Sequence, residues 1–503
     1  MKMKNNKFIY LAVLAAAFAS CEPEFDNKVT NGSYSAGEAD FSSYVAIGNS
    51  LTAGYMDGTV YRSGQKYSYP NILSQQFALV GGGDFTQPSY EDDVNNTGGF
   101  LLGTTPITAT KLIINTSTGG PQPIAGVPTS NVATLQATAY NNMGVPGAKT
   151  FHLLAPGYGN LAGVATGQAN PYFVRHATSP TATVLGDAMT KNPTFFTNWI
   201  GNNDVLFYAI SGGTGVNQAG NTNPATYGPN DITDPQVFAG AYSTIMTALT
   251  ANGAKGVCAT IPSVTSIPYF TTVPFNPVPL DAATTAALNQ GFAQYNGGLQ
   301  LAQAGGLISA DEAAKRKITF HAGAGNAVTI EDESLTNLSA LGIPSYRQAT
   351  AADLIVLPAS SFIGTTVGGN PLQVNGVSVP LADKWVLIPS EITAIENATD
   401  TFNTTIKTIA ASKGIPVADM HAVLKQLVTG IASADGQIYK AGYFSSATAN
   451  TVVFSLDGIH PNARGYAIVA NEYIRVINEF YKAHLPYVIP GSYPGATILT
   501  SNN

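Results

Sequence analysis

The chain has 503 residues, 45% of them apolar, which supports a substantial core and excludes disorder throughout. Only 11% are charged, against about 25% in ordinary globular proteins, and the net charge of −7 speaks against a basic nucleic-acid-binding protein. The 51 Gly and 30 Pro follow no period, which excludes collagen-like order and predicts many loops.

The first residues read as an export signal. Lys2, Lys4 and Lys7 precede an apolar run, Phe8 to Ser20, of 13 residues. A membrane span needs about 20, so the run fits a secretory segment instead. The small pair Ala19-Ser20 ends at Cys21, which looks like a bacterial lipoprotein signal. The expected organisation is a signal peptide at 1–20, lipid on Cys21 and a polar, flexible tether over 21–40. Glu22, Glu24 and Asp26 resemble the surface-export signals of Bacteroidetes lipoproteins. With Cys21 lipidated, Cys258 has no disulfide partner; in the apolar run GVCATI it reads as a buried structural thiol.

Strand and helix signals then alternate. Tyr44 to Ile47 reads as a buried strand ending at Gly48, and Tyr69 to Phe77 as a helix with Pro70 at its start. Residues 80–135 are rich in Gly, Thr, Asn and Pro and read as long loops. Further strands are expected before Val145-Pro146-Gly147, over 195–200, over 256–261 and over 415–418. Helices are expected over 237–249, 283–303 and 391–411. Residues 304–390 mix helix and hairpin signals, among them Gly368-Gly369-Asn370, and read as an insertion. The last helix is the clearest: Pro461 suits its first turn, and Tyr466, Val469, Tyr473, Val476, Ile477 and Phe480 form one apolar stripe. Such alternation predicts an α/β fold with a parallel sheet over 41–484, followed by a Pro/Gly-rich tail at 485–503.

Four segments carry candidate chemistry. In Gly48-Asn49-Ser50-Leu51-Thr52-Ala53-Gly54, Ser50 stands at a strand-to-helix turn, although serine is equally at home there as a helix cap. In Val145-Pro146-Gly147-Ala148 the glycine permits a tight turn with exposed N–H groups; a plain turn reads the same. In Gly201-Asn202-Asn203-Asp204 an amide after a strand can donate to a developing oxyanion, or merely form a turn. In Asp457-Gly458-Ile459-His460 the carboxylate can fix one ring nitrogen and leave the other free as a base; metal binding and capping use the same pair. No G-x-S-x-G or H-E-x-x-H occurs, and Ser63-Gly64-Gln65-Lys66 lacks the companion motifs of penicillin-recognising enzymes. The remaining histidines show no metal-ligand spacing.

Taken together, in this order, GNSLTAGY, VPGA, GNND and DGIHPN resemble the four blocks of the SGNH hydrolase superfamily, the GDSL-like lipases and esterases. With YPNILSQQF, the set is similar to the lipoprotein members from Bacteroidetes. One departure is Asn49, where the family name places Asp; a second is the large insertion. The resemblance implies a flavodoxin-like three-layer α/β/α sandwich with a five-stranded parallel sheet. It implies Ser50 as nucleophile, His460 as base, Asp457 as its orienting partner, and an oxyanion hole from the N–H groups of Ser50 and Gly147 and the amide of Asn203. It implies no cofactor and no metal. The expected protein is a lipid-anchored envelope esterase, outer-membrane and open to surface exposure, touching the membrane through its anchor and acting on an acylated glycan or a lipid. Two alternatives stay open: a non-catalytic glycan- or protein-binding lipoprotein with the same fold, and an acyltransferase using the same triad.

Overall fold

The computed structural model describes residues 33–117 and 120–499, so the signal segment and Cys21 lie outside the described residues. At its centre is a five-stranded, all-parallel sheet. The strands are β1 (Tyr44–Gly48), β2 (Asn142–Gly144), β3 (Phe195–Trp199), β4 (Lys255–Ala259) and β5 (Val417–Ala418). Their spatial order, β2-β1-β3-β4-β5, is the flavodoxin-like order. The five strands are those the sequence predicts. Helices cover both faces, so both sets of alternating side chains are buried, the apolar run of β1 and also Thr197 and Asn198 within β3.

The helices α1 (Ser50–Ala53), α2 (Tyr69–Ala78), α3 (Asn203–Ile210), α4 (Pro235–Thr250), α5 (Pro389–Ser412), α6 (Met420–Thr429) and α7 (Ala463–Tyr481) surround this sheet. Tyr44 and Ala46 face α2 and α7, where the Tyr69 and Tyr473 rings stack at 4.9 Å. Val45 and Ile47 face the other way, into the core built with α4 and α5. This gives three layers. No helix among the described residues is long and apolar enough to cross a membrane.

The end of the chain differs in detail from the sequence expectation. α7 starts at Ala463; its cap is Asn462, whose side-chain oxygen accepts the Gly465 N–H at 3.0 Å, so Pro461 stands before the cap rather than in the first turn. Phe480 is exposed and Tyr481 takes the buried position, its hydroxyl donating to the Gly256 carbonyl at 2.7 Å. Residues 35–38, assigned above to the tether, lie against this region: Glu38 N–H donates to the Tyr481 carbonyl at 2.7 Å, and Ser35 bridges His484. In the tail, Ile498–Leu499 pairs with Ile114–Asn115.

The expected helix over 283–303 is two helices, Ala282–Gly291 and Ala293–Ala304, meeting at Phe292. They belong with the insertion: Leu299 and Ala302 pack on Ile308, Ala313, Leu338 and Ile343. Four short antiparallel pairs accompany them, one joining Val278–Leu280 ahead of the helices to Gly323–Asn326 and another the hairpin Thr366–Val367 with Asn370–Val374. Val328, Ile330, Ile355, Leu381 and Val386 join the main core, so the insertion is packed onto the sheet domain.

Where the insertion meets α5, Glu333, Asp383 and Glu391 bring carboxylate oxygens within 4.8 Å of one another. Burial first, then the neighbouring Glu333 and Asp383 charges, push the Glu391 carboxyl up to about 8, against the hydrogen bond from Ile388 N–H. An acid raised above its unfolded value of about 4.3 stabilises the fold at low pH, and that contribution is lost as the pH climbs through the folded value. Glu391→Gln is therefore expected to raise Tm at pH 8.5 by about 2 °C relative to the parent, with little difference at pH 4. Paired thermal melts at the two pH values check this.

Candidate active site

The site lies at the carboxyl ends of β1 and β3, where the strand order reverses and open α/β sheets form their crevice. Residues on four loops meet there. β1 passes directly into α1. Asn49 caps this short helix, its side-chain oxygen accepting the Leu51 N–H at 3.1 Å. Ser50 is therefore not the cap, and its hydroxyl is spent elsewhere. α1 folds closely over β2: a Cβ at Gly144 would stand 2.3 Å from the Ala53 nitrogen, so only glycine fits.

Ser50 Oγ lies 2.9 Å from His460 Nε2, and His460 Nδ1 lies 2.9 Å from an Asp457 carboxylate oxygen. A carboxylate only accepts, so Nδ1 carries the proton and Nε2 is left to accept from the Ser50 hydroxyl. Both Ser50 and His460 are under a tenth exposed. The Tyr55 ring packs at 4.5 Å from the imidazole, centre to centre.

Asp457 is held by many donors. It accepts from Ser455 Oγ at 2.9 Å, from the N–H groups of Ile459 and His460 at 2.9 Å, and from Gly58 N–H at 3.1 Å. Burial pushes this carboxyl up, but the electrostatic attraction of the His460 ring and these hydrogen bonds outweigh it and leave the group below its ordinary value.

On the other side, Asn203 Nδ2 donates one hydrogen to the Ala148 carbonyl at 2.9 Å, which leaves its second N–H free. This bond fixes the amide against the loop carrying Gly147, whose φ of +82° suits glycine. The N–H groups of Ser50 and Gly147 have no acceptor among the described residues. Ser50, Asn203 and His460 line one small cavity; Gly147 stands on the adjoining loop. Asn202 lines the same cavity, is 5% exposed, and finds no partner for either amide atom among the described residues.

Three supporting groups were not evident from the sequence. Asp57 ties the first loop to the last: one carboxylate oxygen accepts the Leu456 N–H at 3.0 Å, the other accepts the Tyr61 hydroxyl at 3.0 Å, and its own N–H donates to Ser455 Oγ at 3.0 Å. Burial pushes Asp57 up to about 6. Asp204 accepts the N–H and hydroxyl of Thr150 at 2.9 and 2.8 Å, locking the Asn203 loop to the Gly147 loop. Tyr269, from the segment leading into the insertion, donates its N–H to the Gly458 carbonyl at 2.9 Å and so braces the His460 turn. The signal for the first two was their position beside the motifs; for Tyr269 there was none.

Cys258 is buried in β4 with its thiol pushed up to about 12 by burial, an unreactive environment. The acidic cluster Glu333, Asp383 and Glu391 is the one group among the described residues with metal-ligand spacing, and no further feature there points to an ion.

No protein-family model matches the chain, and no curated protein matches it. Among solved structures it is similar to an extracellular lipase from Streptomyces rimosus, at 12% identity over 87% of this chain and 98% of that one, with a TM-score of 0.26. A likeness this distant says nothing of this chain's chemistry, which rests on the side chains described above.

Proposed function

We propose that the protein is a serine ester hydrolase of the SGNH type, working through an acyl-Ser50 intermediate. The observation that carries this reading is the unbroken chain Ser50 Oγ, His460 Nε2, His460 Nδ1, Asp457, with both contacts at 2.9 Å. A nucleophile, a base in its reach and a group orienting that base are the three parts such chemistry needs. A binding module has no use for a buried serine wired to an imidazole, so the non-catalytic alternative is the weaker one.

In the first half-reaction the Ser50 oxygen bonds to the ester carbon as its proton passes to His460 Nε2. The carbonyl oxygen becomes an oxyanion, held by the N–H groups of Ser50 and Gly147 and the free N–H of Asn203. The ester C–O bond then breaks, and the alcohol leaves with the proton from Nε2. Water repeats the path: its proton goes to Nε2, its oxygen bonds to the acyl carbon, and Ser50 leaves reprotonated as the carboxylic acid is released. Asp457 stays ionised and holds the imidazolium that forms at each step.

The proposal extends to location. Lipid on Cys21 anchors the domain in the cell envelope, at the outer membrane, where an acylated glycan or a lipid is at hand. This part rests on the sequence of the first 21 residues alone.

Initial rates on p-nitrophenyl esters test the reading, with hydrolysis expected; no turnover of any ester contradicts it. Asn203→Ala is expected to lower kcat on the best ester by about 10²–10³-fold with little change in KM, because the donor acts where charge develops. Steady-state kinetics of that variant check the assignment, and an unaltered kcat removes Asn203 from the oxyanion site.

A further inference from the structure

We propose that Ser50 opens onto an apolar slot that receives an unbranched hydrocarbon acyl chain, so that the substrates are medium-chain fatty esters; this rests on the reading of Ser50 as the nucleophile. The slot begins at the cavity holding Ser50 and His460. A second cavity lies against it, and Leu51, Pro262, Ile267 and Ile459 line both. Leu51 follows the nucleophile in sequence and Ile459 precedes the base, so the entrance is fixed to the reacting atoms.

Beyond that entrance the walls come from α6 and α7. Met420, Leu424, Leu427, Ile468 and Val469 are buried there. No charged side chain lines this second cavity, and the one side-chain nitrogen or oxygen among its lining residues, the Trp199 indole N–H, is already spent on the Thr260 carbonyl at 3.1 Å. A sugar or a hydroxylated acyl group would leave its hydroxyls unpaired in such a lining. The polar Asn202 amide stands only at the Ser50 end, where the ester group itself lies.

The free space is about 50 Å³ beside Ser50 and about 80 Å³ beyond it. That is room for a short single chain and not for a ring system. The acyl group is the right occupant on chemical grounds. It stays bonded to Ser50 through both half-reactions, whereas the alcohol must depart between them, so an apolar cavity fixed to the nucleophile suits the acyl side.

The test is the chain-length profile of kcat/KM on p-nitrophenyl esters from acetate to palmitate, for the full chain and three variants. Each methylene added within the slot is expected to raise kcat/KM about fourfold, with a maximum near hexanoate to octanoate and a fall beyond. Val423, half-buried on α6, also lines the slot. Val423→Phe fills the slot and is expected to lower the octanoate-to-acetate ratio at least tenfold. Val428→Phe, on the exposed side of the same helix, is expected to leave the ratio unchanged and controls for the helix itself. Octanoate binding to Ser50→Ala, measured by calorimetry and weakened by adding Val423→Phe, reads the slot without turnover. A profile that falls steadily from acetate, or a ratio that Val423→Phe leaves intact, overturns the slot while the hydrolase reading stands. Hydrolysis that survives in Ser50→Ala overturns the hydrolase reading and the slot with it.

Discussion

Ser50→Ala is expected to lower kcat/KM for ester hydrolysis by about 10⁵–10⁶-fold, to the residual level that binding and oxyanion donors alone support. His460→Ala is expected to match it, because removing either member of a unit that acts together costs nearly as much as removing both. The loss must come without unfolding. Asn49 caps α1, so deleting the Ser50 hydroxyl removes no cap, and the hydroxyl's partner is His460 rather than the backbone. Thermal melts of Ser50→Ala should therefore overlay those of the parent while the ester assay goes silent. A variant with both activity and stability reduced in proportion would point to a structural role for Ser50.

Asp457→Asn is expected to cost about 10⁴-fold in kcat. The carboxylate accepts from four donors besides the imidazole, three of them backbone N–H groups. An amide cannot accept on both sides. If its oxygen keeps the donors from Ser455 Oγ and the N–H groups of Ile459 and His460, its NH₂ takes the side that Gly58 N–H and His460 Nδ1 share and forces that ring nitrogen to accept. The ring proton then sits on Nε2, facing Ser50, and the base is lost. The pH behaviour follows from the same contacts. The folded carboxyl lies below its unfolded value, so its stabilising contribution is present above about pH 4 and is lost as the pH falls through the folded value. Asp457→Asn should thus be less stable than the parent at neutral pH, with the gap closing in acid. Thermal melts at pH 3 and pH 7 check that sign, and steady-state kinetics check the loss of turnover.

The residues expected to do chemistry were legible because each sits in a short local pattern. Asp457 and His460 are three apart on one turn, and Ser50 follows a strand by two residues. What sets the proposed nucleophilic role of Ser50 apart from capping was not legible: the cap is taken by Asn49, and the hydrogen-bond partner of Ser50 lies 410 positions away. Long sequence separation also hides Asp57, whose bond to Leu456 spans 399 positions, and Tyr269, whose N–H holds the Gly458 carbonyl.

The sheet was legible for a similar reason. Strands buried on both faces tend to show as apolar runs, as β1 does throughout and β3 and β4 do in large part, with Thr197, Asn198 and Lys255 interrupting them. The insertion was harder. Its strands are two to five residues long, too short for a period to emerge, and its helices at 282–304 have compositions that fit the main layers equally well. Phe480 fell on the apolar stripe of α7 by spacing, yet Tyr481 is the residue buried, with its hydroxyl on Gly256. Periodicity locates the stripe, and the last turn is decided by what lies beside it.

If Ser50 Oγ is the atom that carries the acyl group, a phosphonylating reagent aimed at activated serines must modify it. Incubation with a fluorophosphonate, followed by intact-mass and peptide mass spectrometry, tests this most directly. One phosphonyl adduct per chain is expected, on the peptide containing Ser50, with ester hydrolysis lost in step and no adduct on His460→Ala at the same exposure. An adduct on another residue, or a protein that hydrolyses esters while Ser50 stays unmodified, would contradict it.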